Sequence, residues 1–218
     1  MIQYPPKRVH LSLLIANGQI EDLAHLAPWL KIGARIVAID GGLIYCKELG
    51  IIPELIVGDF DSVPKALLEE YQDVPKISLP IEKDQTDLEY ALEHELQHNK
   101  TVILFGVLGA RVDHSLTNLL LATRYPGKVF IDTERETIFA IQQEAKIESF
   151  IGQTISLIPI NGPVTGITTK GLQWELNKGT LSASFIGISN VAKQKEIHIT
   201  IGNGILLCAV LKSIDFHT

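Results

Sequence analysis

Short apolar runs alternate with helix-like segments along the first two thirds of the chain, from about Val9 to Ile141. The runs HLSLLIANG, ARIVAIDGG, ELIVGDFDS, TVILFGVLG and KVFIDTE have the length of buried strands. Helical patterns fall between them at residues 43–49, 64–71, 87–98 and 115–124, with Ser62 and Pro64 before one helix and Gly50 after another. This alternation predicts a mostly parallel sheet with flanking helices.

The pattern changes after about Lys146, where no helical period is left. Segments such as QTISLIPI, GLQWEL, GTLSASF, EIHITI and GILLCAVL are separated by glycine turns. About 70 residues of this kind predict an all-β antiparallel sandwich. We therefore expect an α/β domain at residues 1–145 and a β-sandwich domain at residues 146–218.

Composition and charge argue against two classes of binding partner, nucleic acids and membranes. The formal net charge is −6, and the 19 lysines and arginines are scattered rather than clustered, which argues against binding to nucleic acid. No stretch approaches the roughly 20 apolar residues of a membrane helix, and prolines and charges open the chain, so we expect no membrane partner and a cytoplasmic protein. Cys46 and Cys208 lack CxxC spacing and are expected to be reduced core residues.

Acidic residues follow two of the predicted strands. Asp40 closes RIVAID, Asp59 closes ELIVGD, and Asp61 lies two residues later. Ligands of such sheets bind outside the carboxyl ends of the strands, so the three carboxylates are expected in one cleft. In an extended segment Asp59 and Asp61 would point the same way, which favours a site for Mg²⁺ with substrate phosphates. The alternative is a solvated turn in which Asp61 and Ser62 cap the next helix.

The segment Lys83-Asp84-Gln85-Thr86-Asp87 precedes the predicted helix 87–98. Thr86 and Glu89 have the spacing of a capping box, which explains those two residues without any function. A lysine with Asp84 and Asp87 at a helix start could also hold phosphate and metal together.

The loop GVLGARVDH, residues 106–114, follows the strand TVILF. Its glycines allow a ligand to approach the backbone, Arg111 offers a planar fork to phosphate oxygens, and Asp113 lies two residues on. The alternative is a flexible loop with a helix cap. Asn17 and Gly18 after the first of these runs form a turn that is a candidate for nucleotide binding at the same cleft.

Residues 94–98, HELQH, match the HExxH spelling of helical zinc sites. With Leu88, Leu92 and Leu96 as the core stripe, both histidines fall on the opposite face, which favours an exposed helix surface over a zinc site. Neither GxxxxGK[ST] nor GxGxxG occurs in the sequence, so any use of ATP would depend on carboxylates and metal.

The motifs DGG at 40–42, GDFDS at 58–62, KDQTD at 83–87 and GVLGARVDH at 106–114 together resemble those of thiamine pyrophosphokinases in order and spacing. The resemblance continues through Leu157-Ile158-Pro159, residues 164–172, Trp174 and residues 187–190, and covers roughly residues 10–213.

The resemblance implies transfer of diphosphate from ATP to thiamine, with Mg²⁺, by a homodimer whose subunits share active sites. It implies that Asp59, Asp61 and Asp87 bind Mg²⁺ and that Asp40 supports them. Further implied roles are contacts to ATP by Lys83, Arg111 and Asn17, a place in the cleft for Asp84, Asp113, His114 and Asn118, and thiamine contacts by Trp174, Ser189 and Asn190. Either Asp87 or Asp113 is the expected general base.

Two other functions are consistent with the residues. A metal-dependent phosphohydrolase also uses acidic clusters at strand ends to activate water. A module that senses nucleotide or thiamine would bind without turnover.

Overall fold

The structure is a computed structural model that describes residues 1–6, 10–98, 101–109 and 111–212. The chain forms two compact units, which we call the α/β unit, residues 8–118, and the β unit, residues 1–7 and 119–218. The domain boundary at residue 145 stays a prediction. The β unit, as divided here, begins before that residue. None of the helices in the described ranges is long and apolar enough to cross a bilayer.

The α/β unit contains five parallel strands. They are β2 (Leu11–Ile15), β3 (Arg35–Ile39), β4 (Leu55–Gly58), β5 (Lys76–Ser78) and β6 (Thr101–Phe105), in the spatial order β6-β2-β3-β4-β5. Strands β2, β4 and β6 are buried along their whole length, as expected for a parallel sheet covered on both faces. The parallel sheet predicted from the alternating pattern is confirmed.

Helices connect these strands. They are a 3-10 turn (Leu23–Leu26), α1 (Ala27–Leu30), α2 (Gly42–Glu48), α3 (Lys65–Glu70), α4 (Asp87–His98) and α5 (Val112–Thr123), the last of which contains the boundary between the units. The predicted cap of α4 is present, because the Glu89 N–H donates to Thr86 Oγ1 at 3.1 Å. The predicted start of α5 at Ser115 is wrong by three residues. Ser115 N and Oγ both donate to Arg111 O, so Ser115 lies in the first turn instead of capping it.

One face of α4 is more polar than the sequence suggested. Leu88, Ala91, Leu92 and Glu95 are its buried residues, whereas Leu96 is half-buried. Glu95 is fully buried because Ser12 Oγ donates to it at 2.5 Å and Arg35 Nε at 3.1 Å. These bonds lower the pKa of Glu95, although burial alone would raise it. The 94–98 segment therefore contributes its glutamate to the core, and no group of three or more metal-binding side chains forms in the described residues.

The β unit is built from two sheets. One has the order β1-β9-β14-β11-β12, and the other has the order β13-β10-β15-β8-β7. The strands are β1 (Ile2–Tyr4), β7 (Val129–Asp132), β8 (Glu136–Ile141), β9 (Glu144–Glu148), β10 (Thr154–Pro159), β11 (Val164–Lys170), β12 (Gly179–Leu181), β13 (Gly187–Val191), β14 (Glu196–Thr200) and β15 (Leu206–Leu211). Alternate residues of β10 and β14 are buried, which is the pattern of strands with one face in a core. The predicted antiparallel sandwich is confirmed for all pairs except β1 with β9, which are parallel.

Two segments of the β unit differ from the sequence prediction. The N-terminal strand β1 was not expected, and it is held by stacking of Tyr4 on Phe139 and by a Tyr4 hydroxyl bond to Thr137 Oγ1 of 3.2 Å. The predicted strand GLQWEL is instead a turn, with a single bridge from Leu172 to Ala192. Glu175 Oε1 accepts from the Gly171 N–H there, at 2.7 Å. Cys46 and Cys208 are both free and buried, as expected.

Candidate active site

A cleft of about 620 Å³ lies in the α/β unit, within the size range of small-molecule sites. The loops that follow β2, β3 and β6 contribute to its wall, so the cleft lies at the carboxyl ends of the parallel strands. The side chains or backbone that line it belong to Ala16, Asn17, Gly18, Ile39, Asp40, Asp61, Ser62, Thr86, Asp87, Leu88, Gly106, Val107, Gly109, Arg111, Asp113, His114, Thr117 and Asn118. Most of the predicted cleft residues are therefore brought together.

The floor of the cleft is made of closely packed backbone. The Gly18 N–H donates to Gly106 O at 2.6 Å, which joins the turn after β2 to the loop after β6. A Cβ atom on Gly18 would lie 2.3 Å from Gly106 O, and one on Gly106 would lie 2.4 Å from Ala16 O. Only glycine fits such an approach, so these loops form a fixed surface of backbone against which a ligand can lie.

Three side chains hold these loops in place, and two of them were not identified from the sequence. The Tyr45 hydroxyl donates to Gly18 O at 2.7 Å, and Ser62 Oγ accepts from the Gly41 N–H at 3.0 Å. Asn118 Nδ2 donates to Val107 O at 2.6 Å. Tyr45 lies within a helical pattern with no chemical signature, whereas Ser62 was considered only as a helix cap.

Asp40 occupies a strained and crowded position after β3. Its φ is +45°, and its Oδ1 accepts from the Phe60 N–H at 3.1 Å. A Cβ on Gly58 would lie 1.9 Å from Asp40 Oδ1, so the glycine of GDFDS makes room for this carboxylate. Burial raises the pKa of Asp40 to about 7, and the negative charges of Asp87 and Asp59 act in the same direction against the Phe60 hydrogen bond.

Because of this raised pKa, we expect the free energy of unfolding of the ligand-free protein in EDTA to depend on pH. The folded state holds the Asp40 proton up to about pH 7, whereas the unfolded chain releases it near pH 4. The wild-type free energy of unfolding therefore loses a contribution as pH rises through this window. Asp40→Asn keeps an oxygen acceptor for Phe60 and escapes the loss. We expect its stability relative to wild type to grow by about 1–2 kcal/mol between pH 5 and pH 8, a value discounted for partial exposure.

Urea unfolding at both pH values measures this difference. A pH-independent stability difference between the two proteins would show that Asp40 does not titrate in this range.

Lys83 lies between two of the predicted metal ligands. Its Nζ atom is 2.9 Å from Asp87 Oδ1 and 3.6 Å from Asp59 Oδ2, and it donates to Pro80 O at 2.9 Å. Burial alone would lower the pKa of Lys83, but the two carboxylates outweigh it and the pKa is raised. Asp59, Asp87 and Lys83 therefore form one charged cluster beside the cleft.

The backbone of GDFDS is not extended, so the expectation that Asp59 and Asp61 point the same way is wrong. Phe60 has a φ of +65°, and residues 61–62 form a turn. Asp59 Oδ1 accepts from the Asp61 N–H at 3.2 Å, and Asp61 lines the cleft. Because of this turn the two carboxylates have different neighbours. Asp59 lies beside Lys83, whereas Asp61 lies in the cleft wall.

The oxygen atoms of this region are of the kind that Mg²⁺ binds. Asp87 Oδ1 is buried, and Lys83 Nζ lies 2.9 Å from it. Within these ranges no three acidic, histidine or cysteine side chains enclose a common point. Mg²⁺ commonly keeps water and substrate phosphates beside one or two carboxylates, so the residues present fit it without a complete protein cage.

Arg111 and Asp113 form a bidentate pair at the exposed side of the cleft. Arg111 Nε and Nη2 donate to the Asp113 oxygens at 3.1 and 2.6 Å. The Arg111 bond lowers the pKa of Asp113 to about 2. A carboxylate held in such a pair is a weak proton acceptor as long as Arg111 stays on it.

The remaining predicted residues fall into two groups. Asn17, His114 and Asn118 line the cleft, whereas Asp84 is exposed and does not. Ala110, in the middle of the 106–114 motif, lies outside the described residues.

In the β unit, Trp174 and Asn190 are joined through the backbone of Trp174. Asn190 Oδ1 accepts from the Trp174 N–H at 3.1 Å, and Asn190 Nδ2 donates to Trp174 O at 2.8 Å. The Trp174 side chain is 59% exposed, and Ser189 is next to Asn190 with a φ of +56°. The three predicted thiamine contacts therefore form a local group with an exposed indole.

A cleft with carboxylates, lysine and arginine at the ends of a parallel sheet is typical of an enzyme that transfers phosphoryl groups. Residues 29–133 match the family model "Thiamin pyrophosphokinase, catalytic domain", and residues 136–206 match "Thiamin pyrophosphokinase, vitamin B1 binding domain". The chain belongs to the thiamin pyrophosphokinase family.

Individual relatives agree with this family. The chain is 30% identical over 213 residues to the thiamine pyrophosphokinase of Bacillus subtilis (strain 168), covering 93% of this chain and 98% of that protein. It is 28% identical over 186 residues to thiamine pyrophosphokinase 1 of Arabidopsis thaliana, covering 76% and 70% of the two chains. The crystal structure of thiamin pyrophosphokinase from Geobacillus thermodenitrificans superposes with a TM-score of 0.84 at 25% identity, covering 94% and 99%.

Proposed function

We propose that this chain transfers the diphosphate of ATP to thiamine, giving thiamine diphosphate and AMP. The observation that carries the proposal is the cleft at the carboxyl ends of the parallel strands, with Asp61 and Asp87 in its wall and Lys83 between Asp87 and Asp59. Such a cleft supplies both the oxygen ligands and the positive charge that a polyphosphate requires.

The reaction joins the hydroxyl oxygen of thiamine to the β-phosphorus of ATP. The bond from that phosphorus to the bridging oxygen of the α-phosphate breaks, and AMP leaves with that oxygen. The proposed Mg²⁺ ligands are Asp59, Asp61 and Asp87. Because the turn separates Asp59 from Asp61, one or two of these carboxylates would hold the ion together with phosphate oxygens, and the ion would supply charge compensation there. Lys83 and Arg111 contribute further positive charge, and Asn17 with the fixed backbone of Gly18 and Gly106 orients the nucleotide.

The hydroxyl proton must pass to a base in or near the cleft. The two residues expected from the sequence, Asp87 and Asp113, both line the cleft, and each lies beside a cation, Lys83 and Arg111 respectively. The positions of Asp40, His114 and Asn118 in the cleft wall support contacts to ATP or to the thiamine hydroxyethyl group.

The test uses purified protein with ATP, Mg²⁺ and thiamine, and follows AMP and thiamine diphosphate together by chromatography. Equal amounts of both products, dependent on thiamine and abolished by EDTA, support the proposal. Free phosphate without an acceptor would instead identify a phosphohydrolase. Tight binding of ATP or thiamine with no product would identify a sensing module.

Thiamine recognition is proposed for Trp174, Ser189 and Asn190. The exposed indole of Trp174 offers an aromatic face to a cationic thiazolium ring, and such contacts stabilise a bound cation by about 1–2 kcal/mol. We expect Trp174→Ala to raise the Kd for thiamine by about 5–30-fold and to leave the Kd for ATP within about twofold. Isothermal titration of each substrate measures this, with Ile52→Ala as a control at another exposed apolar residue, 74% exposed. Equal losses for both substrates would contradict the assignment.

A homodimer with shared active sites is part of the proposal. Its support in the described chain is the number of large apolar side chains that the β unit exposes, among them Phe150, Ile151, Phe185, Ile186 and Ile188. Sedimentation velocity decides between monomer and dimer. A cytoplasmic location stays a prediction.

A further inference from the structure

Lys83 has surroundings unlike those of an ordinary surface lysine. Three oxygens surround its ammonium group, the Pro80 carbonyl at 2.9 Å, Asp87 Oδ1 at 2.9 Å and Asp59 Oδ2 at 3.6 Å. The side chains of Lys83, Asp59 and Asp87 are only 15%, 13% and 17% exposed. By comparison, the Lys47 and Glu70 side chains of a surface ion pair are 52% and 48% exposed. Solvent therefore screens the Lys83 contacts much less.

The cluster draws its members from separate parts of the chain. Asp59 follows β4, Asp87 is the first residue of α4, and Lys83 lies four residues before it. A cation at this point offsets the repulsion between two carboxylates that would otherwise destabilise the fold. Lys83 thus supplies, from within the chain, the same charge compensation that a divalent metal supplies.

A metal ion and the Lys83 ammonium cannot share these oxygens. Two positive charges within about 3–4 Å of each other repel strongly where solvent is largely excluded. The lysine stem is long and flexible, so its ammonium can leave the carboxylates when another anion is within reach. The polyphosphate of ATP in the neighbouring cleft is such an anion under the proposed function.

We propose that Lys83 is a built-in competitor of the divalent cation for Asp59 and Asp87, and that ATP relieves the competition by drawing the ammonium to its phosphates. This inference rests on the proposed function. Metal alone then binds weakly, because it must displace Lys83. The protein with nucleotide bound then has a higher affinity for the metal, and the protein with metal bound has a higher affinity for the nucleotide. This is positive coupling between two ligands of one site.

The experiment measures Mn²⁺ binding to the nucleotide-free protein by electron paramagnetic resonance, for wild type and Lys83→Met. We expect Lys83→Met to bind Mn²⁺ about 5–20-fold more tightly, since the competing charge is gone. Lys47→Met removes the same charge from a surface ion pair and is expected to leave the affinity within about twofold. An affinity for Lys83→Met that equals or falls below the wild-type value would overturn the proposal.

A second readout covers the case in which Lys83→Met folds poorly. Lys83→Gln keeps a hydrogen-bond donor for the Pro80 carbonyl while removing the charge. Its melting temperature in EDTA is expected to fall below that of wild type, and added Mn²⁺ is expected to raise it by more than it raises the wild-type value. An equal Mn²⁺-induced shift in both proteins would count against the competition.

Asp59→Asn separates this inference from the proposed function. If the wild type binds Mn²⁺, Asp59→Asn weakens that binding and Lys83→Met changes nothing, the metal site stands and only the competition is refuted. If no protein binds Mn²⁺ in a manner that depends on Asp59, both the metal role and the competition are refuted. A direct test of coupling adds a non-hydrolysable ATP analogue, which should raise Mn²⁺ affinity less in Lys83→Met than in wild type.

Discussion

Asp59→Asn lowers kcat for the transfer of diphosphate by about 10³-fold or more while the fold is retained. The substitution replaces a carboxylate by a neutral amide at the edge of the charged cluster with Lys83 and Asp87. Amide oxygens bind a divalent cation more weakly than carboxylates do, so charge compensation in the transition state is lost. The fold is expected to survive because an asparagine Oδ1 can still accept from the Asp61 N–H, as Asp59 Oδ1 does at 3.2 Å.

Initial rates of AMP formation at saturating ATP, thiamine and Mg²⁺ measure this effect, and circular dichroism with thermal melting checks the fold. Asp73→Asn is the matched control, since Asp73 is an exposed aspartate of the same unit that does not line the cleft. Its kcat should stay within about twofold of wild type, as for most surface substitutions. An Asp59→Asn enzyme within about tenfold of wild type would refute the metal role of Asp59.

Secondary structure was predicted correctly where it depends on a local sequence pattern. The prediction failed where the structure depends on pairing between residues that are distant in the chain. The period of α4 and the capping threonine at 86 are visible within about a dozen residues, and both ends of that helix were predicted. Strand β1 pairs with β9, so its partner lies more than 100 residues away and no local pattern announces it. The segment GLQWEL has strand-like residues, but the Gly171 φ of +88° and the Glu175 side-chain bond turn it away from a ladder.

The candidate site shows the same division. Strand ends located Asp40 and Asp61 at the cleft wall, because the carboxyl ends of parallel strands meet at one edge. Asp87 was a candidate from the charged segment before α4, and Asn118 was named only through the family resemblance. The sequence did not show how neighbouring side chains change the pKa of individual groups. Asp113 was one of two expected bases in the sequence, yet Arg111 pairs with it and lowers its pKa to about 2.

Supporting residues were the hardest to recognise. Tyr45 acts through its hydroxyl on the Gly18 carbonyl, 27 positions earlier in the chain, and nothing in its own helix indicates that contact. Lys83 was expected to touch phosphate, but its position between Asp59 and Asp87 depends on how α4 is placed beside the end of β4. Pairings between distant elements are therefore what the structure adds.

Gly42→Ala is expected to cost about 3 kcal/mol or more of folding free energy, the largest stability effect we predict. A Cβ atom at this position would lie 1.9 Å from Ile15 O, 2.6 Å from Ile15 C and 3.1 Å from Ala16 Cα. These are backbone atoms at the end of β2, so no side-chain rotation relieves the overlap. Helix α2 must move away from the strand, and the turn at Asn17 and Gly18 must move with it.

Gly50→Ala is the matched control at the other end of α2. Gly50 has a φ of +64° and open space around a would-be Cβ atom, so alanine there costs only backbone strain of about 1–2 kcal/mol. Urea unfolding of both variants compares the cost of steric overlap at Gly42 with the cost of backbone strain at Gly50. The Kd for ATP shows whether the turn at Asn17 and Gly18 has moved. If Gly42→Ala is no less stable than Gly50→Ala, the second glycine of DGG does not serve the close contact of helix and strand. A clear excess loss would mean that this glycine positions the cleft floor through packing and needs no contact with the ligand.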